Sequence, residues 1–254
     1  MKDPRNIPGA SRDAVTDPPG PETSGKTASD EVEDLIYVIT HDLRGTFRAI
    51  QIIPDFLAED LSPLPEGKQE LLESHVAMLK TMAQRCDRML VDLRDYSRVG
   101  RCADPPGDHA IAPLLQETTQ RHPLPPGFRL TLTGAGILTG PRNELSQLFA
   151  VLLSNAVKHH DRDSGLIEVS VTSQGPLRRI SIRDDGPGIR PDLREKAFGI
   201  LSTLKSRDTC EGSGMGLPIA RKIVTRLGGT IDIADSQGAR GTEITFTLPG
   251  HARQ

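Results

Sequence analysis

A helix predicted from LFAVLLSNAVKHH carries polar side chains whose chemistry suits a charged ligand. Asn155, Lys158 and His159 lie three to four residues apart in it, so they share one face of the helix. The amide oxygen of Asn155 can bind a hard cation, and the ammonium group of Lys158 is a point charge for a phosphate. Alone, this pattern is equally typical of a polar helix end with solvated charges.

RDDGPGI, which directly follows a predicted strand, is a second stretch that could do chemistry. Gly186 and Gly188 permit backbone conformations and close approaches that a Cβ atom forbids. A carboxylate at Asp184, on the end of the strand, can accept a hydrogen bond from an exocyclic amine such as adenine N6. Because Asp-Gly and Pro-Gly are also turn dipeptides, an ordinary turn is the simpler alternative.

EGSGMGLPIARKIV is the third stretch, and its glycines Gly212, Gly214 and Gly216 run into a predicted helix. Backbone N–H groups and the positive end of that helix can cradle phosphates. The stretch has no Walker lysine–serine pair and does not follow a strand within a βαβ unit, so neither a P-loop nor a Rossmann site fits. Each stretch is weak evidence alone, but the three in this order predict a nucleotide site.

A histidine followed by an acid, His41-Asp42, lies within YVITHDLRGTFRAI, a run with the apolar spacing of a helix. The run follows a heptad repeat for almost four repeats. Position a is occupied by Ile36, Leu43, Ile50 and Leu57, and position d by Val32, Ile39, Thr46 and Ile53. In this register His41 falls at f, the position farthest from the seam. The pattern therefore presents the histidine to solvent on a rigid helix.

The helix that carries the histidine spans about residues 29–61, and a second amphipathic helix follows the SPLPEG turn and ends at about Val99. Two seamed helices joined by a short turn form an αα-hairpin, which alone has too little core to be stable. We therefore predict that residues 29–99 dimerise into a four-helix bundle. Residues 1–28, rich in Pro, Gly, Ser, Thr and charge, predict a disordered tail.

Residues 100–108, GRCADPPGD, predict a linker, and residues 109–250 predict a mixed α/β domain. Strands with period-two alternation are predicted at FRLTLTG, LIEVSVTS, LRRISIRD, TIDIADS and GTEITFTL. Helices are predicted at PLLQETTQR, RNELSQLFAVLLSNAVKHH, PDLREKAF and MGLPIARKIVTRLG. Antiparallel strands on one side with helices on the other give an α+β sandwich, so the fold class of the chain is α plus α+β.

The composition excludes several classes of protein. A net charge of -3 over 254 residues is too mild to indicate binding to nucleic acid or to an anionic membrane. The longest apolar runs are too short for a membrane span, and no signal-peptide pattern opens the chain. The three cysteines, odd in number and far apart, favour a reduced, cytoplasmic protein.

Together these motifs resemble those of the sensor histidine kinases over roughly residues 29–249. THDLRGTFRAI resembles the H-box, and LFAVLLSNAVKHH, DDGPGI, AFGILSTLK and GSGMGL resemble the N, G1, F and G2 boxes of a Bergerat-type (GHKL) ATP-binding domain. The form HDLRxxxRAI, with Arg48 seven residues after the histidine, looks closest to the H-box of the phytochrome-like subgroup. The family often has Pro where this chain has Thr46, and its phosphatase-active members often have Thr or Asn in place of Gly45.

The resemblance implies that His41 is the phospho-acceptor and that Asp42 orients its imidazole and takes up its proton. A neutral imidazole, with an unperturbed pKa of about 6.5, keeps a lone pair at neutral pH and can attack the γ-phosphate in line. The adjacent carboxylate fixes the tautomer, so that the other ring nitrogen is the nucleophile. The implied acceptor of the phosphoryl group is an aspartate in the receiver domain of a response regulator.

In the ATP-binding domain the resemblance implies one role for each matching residue. Asn155 would hold Mg²⁺, Lys158 and His159 would face the phosphates of ATP, and Asp184 would bind adenine. Phe198 would tie a lid to the domain. The residues that would shape the pocket and its lid are Gly186, Gly188, Gly212, Gly214 and Gly216.

Two other functions are compatible with the sequence. A non-catalytic phosphotransfer or scaffold dimer would share the architecture, although intact glycines in DDGPGI and GSGMGL count against it. A gyrase-type or MutL-type ATPase would share the nucleotide fold, but those enzymes place a water-activating Glu where this chain has Val151. We expect a homodimer whose signal comes from a separate sensor protein or from the bundle itself.

Overall fold

The computed structural model of the chain describes residues 47, 50–57, 59, 68–101, 103–203, 213–234 and 240–251. Three of the predicted site residues, His41, Asp42 and Gly212, lie outside this set. The predicted tail, most of the first predicted helix and the turn after it also lie outside it.

A long helix, α1 (Lys68–Arg98), confirms the second predicted helix, and residues 50–57 are helical as expected for the first. Both segments leave large apolar side chains on the surface of the single chain: Ile50, Ile52, Ile53, Phe56, Leu57, Leu71, Met78, Leu79 and Met82. Such an apolar surface is typical of helices that pack against a partner. Within the described residues, no helix is both long enough and apolar enough to cross a membrane.

The described residues of the second part of the chain form a seven-stranded sheet. Its strands are β1 (Pro106–Ala110), β2 (Phe128–Thr133), β3 (Ile137–Pro141), β4 (Gly165–Gln174), β5 (Leu177–Asp184), β6 (Ile231–Ala234) and β7 (Glu243–His251). The order is β1-β3-β7-β5-β4-β2, and β6 also pairs with β7. Because β5 lies between β4 and β7, the residue at its end, Asp184, is held by strands on both sides.

The sheet differs from the prediction in two respects. β2 pairs parallel with β4, whereas the sequence pattern predicts antiparallel strands. β1 and β3 have no predicted counterpart, and β1 begins inside the predicted linker 100–108. Their sequences, PGDHA and ILTGP, lack the β-branched alternation of a strand, so their conformation comes from pairing with each other rather than from local propensity.

Four helices of the described part accompany the sheet: α2 (Ile111–Arg121), α3 (Arg142–Lys158), the short α4 (Arg194–Ala197) and α5 (Gly216–Arg226). A 3₁₀ turn (Pro191–Leu193) precedes α4. The apolar face of α3 recurs at intervals of three and four and buries Leu145, Leu148, Phe149, Leu152 and Leu153. These side chains share one core with alternate residues of β4 and β5, which confirms the predicted α/β sandwich.

The end of α1 is anchored to this sandwich. Val99 is only 4% exposed and belongs to the core. The Nζ atom of Lys222, on α5, donates a hydrogen bond to the carbonyl oxygen of Tyr96 (3.0 Å) and lies 4.4 Å from the centre of its ring. The N–H of Gly100 donates to Oε1 of Glu144 at the start of α3 (2.8 Å). These contacts fix the direction in which α1 leaves the sandwich.

Candidate nucleotide site

A cavity of about 620 Å³ opens between α3, the loop after β5 and the start of α5. This volume is within the range of pockets that bind small molecules and cofactors. The predicted site residues that line it are Asn155, Lys158, His159, Asp184, Gly188, Gly214 and Gly216. The structure therefore brings the three predicted stretches together at one cavity.

Asp184 lies at the end of β5 with its carboxylate oriented by backbone donors. Its Oδ1 atom accepts hydrogen bonds from the N–H groups of Gly186 (2.9 Å) and Thr242 (3.1 Å). Burial raises the pKa of the Asp184 carboxyl, and these two donors act against that rise. Both bonds go to Oδ1, so among the described residues Oδ2 is the oxygen that can serve a ligand.

The start of α5 packs directly against the side chain of Asn155. A Cβ atom at Gly216 would lie 2.8 Å from Oδ1 and 2.9 Å from Nδ2 of Asn155. Only glycine therefore leaves the amide where it is. The N–H groups in the first turn of a helix have no partner within the helix, so they can bind an anion beside that amide.

Gly214 makes the chain turn before α5. Its φ angle is +74°, in the left-handed region, and a Cβ atom there would lie 2.5 Å from the carbonyl oxygen of Ser202. The turn brings the glycine stretch against the segment after α4. Thr203 also lines the cavity, while Lys205 and Cys210 lie outside the described residues.

Lys158 and His159 lie where α3 ends at the cavity. The N–H of His159 donates to the carbonyl oxygen of Asn155 (3.1 Å), which closes the last turn of the helix. Within the described ranges, no cluster of three or more His, Cys, Asp and Glu residues could hold a metal ion. Asn155 therefore suits Mg²⁺ only if phosphate oxygens supply other ligands, which is the usual way in which Mg²⁺ binds with nucleotides.

Asp92, on α1, lines the same cavity, and the sequence pattern does not predict this. The hydroxyl of Ser213 hydrogen-bonds to its carboxylate, and the charge of Lys158 also acts on it. Burial has the largest effect and raises the pKa of Asp92. Nothing in the local pattern indicates the contact, because a lone acid on an amphipathic helix looks like an ordinary solvated charge.

Phe198, the predicted anchor of a lid, is buried at the end of α4. The guanidinium group of Arg221 lies 3.8 Å from the centre of its ring, which is a cation–π geometry. Arg221 also donates two hydrogen bonds to Glu195, at 2.6 and 2.9 Å. The described part of the chain thus holds Phe198 firmly against α5.

His160 corrects a prediction. Because His75, His109, His122, His160 and His251 show no metal-ligand spacing, the sequence predicts surface roles for them. The side chain of His160 is nevertheless only 1% exposed. Its Nε2 atom lies 3.1 Å from Oδ1 of Asp185. The observed helix α3 ends at Lys158, whereas the predicted helix includes His160, so helical spacing could not place this imidazole in the interior.

Residues 140–252 match the model of the histidine kinase-, DNA gyrase B- and HSP90-like ATPase family. The chain is 34% identical over 233 residues to the methanogenesis regulatory histidine kinase FilI of Methanothrix harundinacea, a match that covers 90% of this chain and 25% of FilI. It is 30% identical to cyanobacterial phytochrome B of Nostoc sp., over 87% of this chain and 30% of the phytochrome. The chain thus spans less than a third of the length of these relatives.

The fold is also similar to that of a solved structure. Full-length ShkA, crystallised in complex with AMPPNP, superposes with a TM-score of 0.61 at 19% identity, over 87% of this chain and 46% of ShkA. At that identity the likeness shows the fold alone. The match of the ATPase model to the sandwich, together with the kinase relatives that extend over both parts of the chain, places this protein in the sensor histidine kinase family.

Proposed function

We propose that this protein is a histidine kinase that autophosphorylates His41 from Mg-ATP and passes the phosphoryl group to an aspartate of a response regulator. The family and the histidine kinase relatives support the reaction class. The cavity supports the nucleotide half most directly, since it joins a cation-binding amide, a phosphate-binding ammonium group and an adenine-binding carboxylate.

Each residue in the cavity has one task in this proposal. The Oδ2 atom of Asp184 accepts a hydrogen bond from the exocyclic amine of adenine. Lys158 and the first turn of α5 bind the phosphates, and Asn155 supplies an oxygen to Mg²⁺. When bound, Mg²⁺ spreads the negative charge of a loose, metaphosphate-like transition state.

His41 is the nucleophile in the proposal, and Asp42 is its orienting base. In the predicted heptad register His41 faces away from the seam of the bundle, where a catalytic domain can reach it. The carboxylate fixes the tautomer and accepts the proton that leaves the imidazole as the phosphorus–nitrogen bond forms. The bond between the γ-phosphorus and the oxygen that bridges it to the β-phosphate breaks, and ADP is the leaving group.

The apolar surface of the two helical segments supports a homodimer. The exposed side chains on residues 50–57 and on α1 would be buried if two hairpins formed a four-helix bundle. We propose that the receiver domain of a response regulator docks on this bundle, in the cytoplasm, and that a separate sensor protein or the bundle itself delivers the stimulus.

An ATP-hydrolysing function is less well supported. Val151 lines the cavity at the place where gyrase-type and MutL-type enzymes carry a glutamate that activates water. A valine cannot act as a general base, so the described cavity lacks that group at this position.

The proposed reaction is tested by incubating the purified protein with γ-labelled ATP and Mg²⁺ beside a His41→Gln variant. We expect a label that is acid-labile, base-stable and absent from the variant. Binding of ATP without any labelling would instead favour the phosphotransfer or scaffold function. Addition of a candidate receiver domain then measures transfer to aspartate.

A further inference from the structure

We infer that His160 is a positioning residue for adenine recognition, which it serves by holding the loop after β5 through Asp185. The inference rests on the proposed nucleotide function, and it gives a role to the last residue of LFAVLLSNAVKHH, to which the resemblance assigns none. His160 does not line the cavity, so its action on a ligand has to pass through the loop.

The imidazole has polar partners at both of its ring nitrogens. A carboxylate oxygen only accepts, so the Nε2–H group of His160 donates to Oδ1 of Asp185 (3.1 Å). Nδ1 lies 3.1 Å from the backbone nitrogen of Arg162 and 3.2 Å from the carbonyl oxygen of the same residue. Both ring nitrogens are therefore used, and the ring joins the end of α3 to the loop after β5.

The space around the ring depends on two glycines. A Cβ atom at Gly165 would lie 2.8 Å from Nε2 of His160, and one at Gly186 would lie 3.2 Å from its Cδ2. Phe128 contacts the ring edge-on, with 5.3 Å between ring centres. The imidazole is thus enclosed on several sides, and a ring in such a site holds its neighbours in place.

Asp185 connects this ring to the candidate adenine carboxylate. Its Oδ1 atom also accepts from the N–H of Leu166 (2.7 Å), and this bond, with a smaller effect of His160, holds the pKa of Asp185 below its usual range. Asp184 is the preceding residue, and Gly186, the following one, donates its N–H to Asp184. A shift of Asp185 therefore moves both the Asp184 backbone and one of the two donors that aim its carboxylate.

The effect of His160 on nucleotide affinity should depend on the base of the nucleotide. Only a nucleotide with an exocyclic amine at the adenine position gains from a correctly placed Asp184, since guanine presents a carbonyl oxygen there. Loss of the His160–Asp185 bond should weaken ADP binding and leave GDP binding nearly unchanged. One hydrogen bond of this kind corresponds to a change in affinity of up to about tenfold.

The test uses the full chain with three substitutions at the same position. In His160→Gln the side-chain amide has an N–H group near the position of Nε2. In His160→Asn the side chain is too short for its amide to reach Asp185, and in His160→Leu the donor is removed. Calorimetry gives the dissociation constants of ADP and GDP, and thermal unfolding is followed in parallel. We expect an unchanged ratio of ADP affinity to GDP affinity for His160→Gln, and a ratio of affinities lowered by up to about tenfold for His160→Asn and His160→Leu.

Substitution of His75, an exposed histidine on α1, by the same three residues is the matched control and should leave the ratio unchanged. Equal losses of ADP and GDP affinity that follow a loss of thermal stability would overturn the inference, because they indicate a purely structural role. If His160→Leu does not fold, the comparison between Gln and Asn decides the question. A wild-type protein that binds no ADP would refute the proposed nucleotide site itself, whereas wild-type ADP binding with no effect of His160→Asn refutes only this inference.

Discussion

The carboxyl group of Asp184 combines burial with a fixed orientation. Two backbone N–H groups hold its Oδ1 atom, and desolvation raises its pKa above the ordinary value. The ionised carboxylate has two lone pairs on Oδ2 available to an exocyclic amine. Protonation of the carboxyl group reduces its ability to accept this hydrogen bond. Recognition of the base should therefore depend on pH in a range set by this single residue.

We expect the ADP-to-GDP affinity ratio to fall as the pH is lowered. Because the pKa of Asp184 is raised, the carboxylate takes up a proton at a higher pH than an ordinary aspartate, and the preference for adenine is lost there. Titrations of both nucleotides between about pH 8 and pH 4 measure the ratio, which cancels protonation of the phosphates. A ratio that stays constant down to the range of ordinary aspartates would contradict this assignment, and Asp184→Asn should show a low ratio throughout.

Gly216→Ala should weaken the part of ATP binding that depends on Mg²⁺. The added methyl group would meet the Asn155 amide at 2.8 Å, and the side chain has to move because the helix backbone cannot. ATP affinity measured with and without Mg²⁺ should differ less in the variant than in the wild type. Gly107→Ala, on β1, is the control, since its added atom would come no closer than 3.4 Å to another side chain and the residue does not line the cavity. Equal effects of the two changes would argue against a role of Asn155 in binding the cation.

At the scale of elements, local pattern predicts most of the sandwich but not its connections. β4, β5 and β7 alternate clearly, and α3 and α5 have apolar faces, so each is evident from a short window. β1 and β3 are rich in Gly and Pro and exist through their mutual register. The site, like the fold, is predictable only where its signals are local. Its glycine motifs are short stretches of sequence, whereas the contacts of Asp92 and His160 join segments far apart in the chain, and residue spacing does not predict such contacts.

Glu144 joins three elements, and its removal should destabilise the protein. Its side chain is 4% exposed, accepts from the N–H of Gly100 and forms an ion pair with Arg226 of α5. Because Arg226 is 33% exposed and can be hydrated, the main cost is the loss of the hydrogen bonds to Glu144, roughly 1–3 kcal/mol. Glu144→Ala should therefore lower the melting temperature by several degrees. Glu144→Gln keeps an acceptor for Gly100 and should have a smaller effect. A Glu144→Ala variant with wild-type unfolding would show that this pair contributes nothing to the junction.

At the scale of the whole molecule, the chain divides its apolar surface unequally. The sandwich buries its large apolar side chains in one core, while residues 50–57 and α1 expose many of theirs. An exposed surface of this extent is typical of an interface. Association and nucleotide binding should therefore be separable by substitution.

Ile53→Glu should convert the proposed dimer to a monomer without loss of ADP binding. The side chain is well exposed on the single chain, and a charge in the core of a bundle is strongly unfavourable. Light scattering gives the oligomeric state, and calorimetry gives the affinity for ADP. Ile200→Glu, at an exposed apolar residue of the sandwich, should leave the dimer intact. Dimers that persist in Ile53→Glu would place the interface elsewhere.

The attachment of α1 couples the orientation of this helix to the nucleotide cavity. Asp92 lines the cavity beside Ser213, and one turn further along the same helix Tyr96 accepts a hydrogen bond from Lys222 of the sandwich. Val99, just past the end of the helix, is buried in the core of the sandwich. A twist of this helix about its own axis would carry a charge toward or away from the phosphates. Linkage requires the reverse as well: a nucleotide that prefers one twist must apply an equal bias to the helix. A rotation imposed on the bundle would therefore change nucleotide binding. Occupancy of the cavity would in turn change the rotation of the helix at the bundle end.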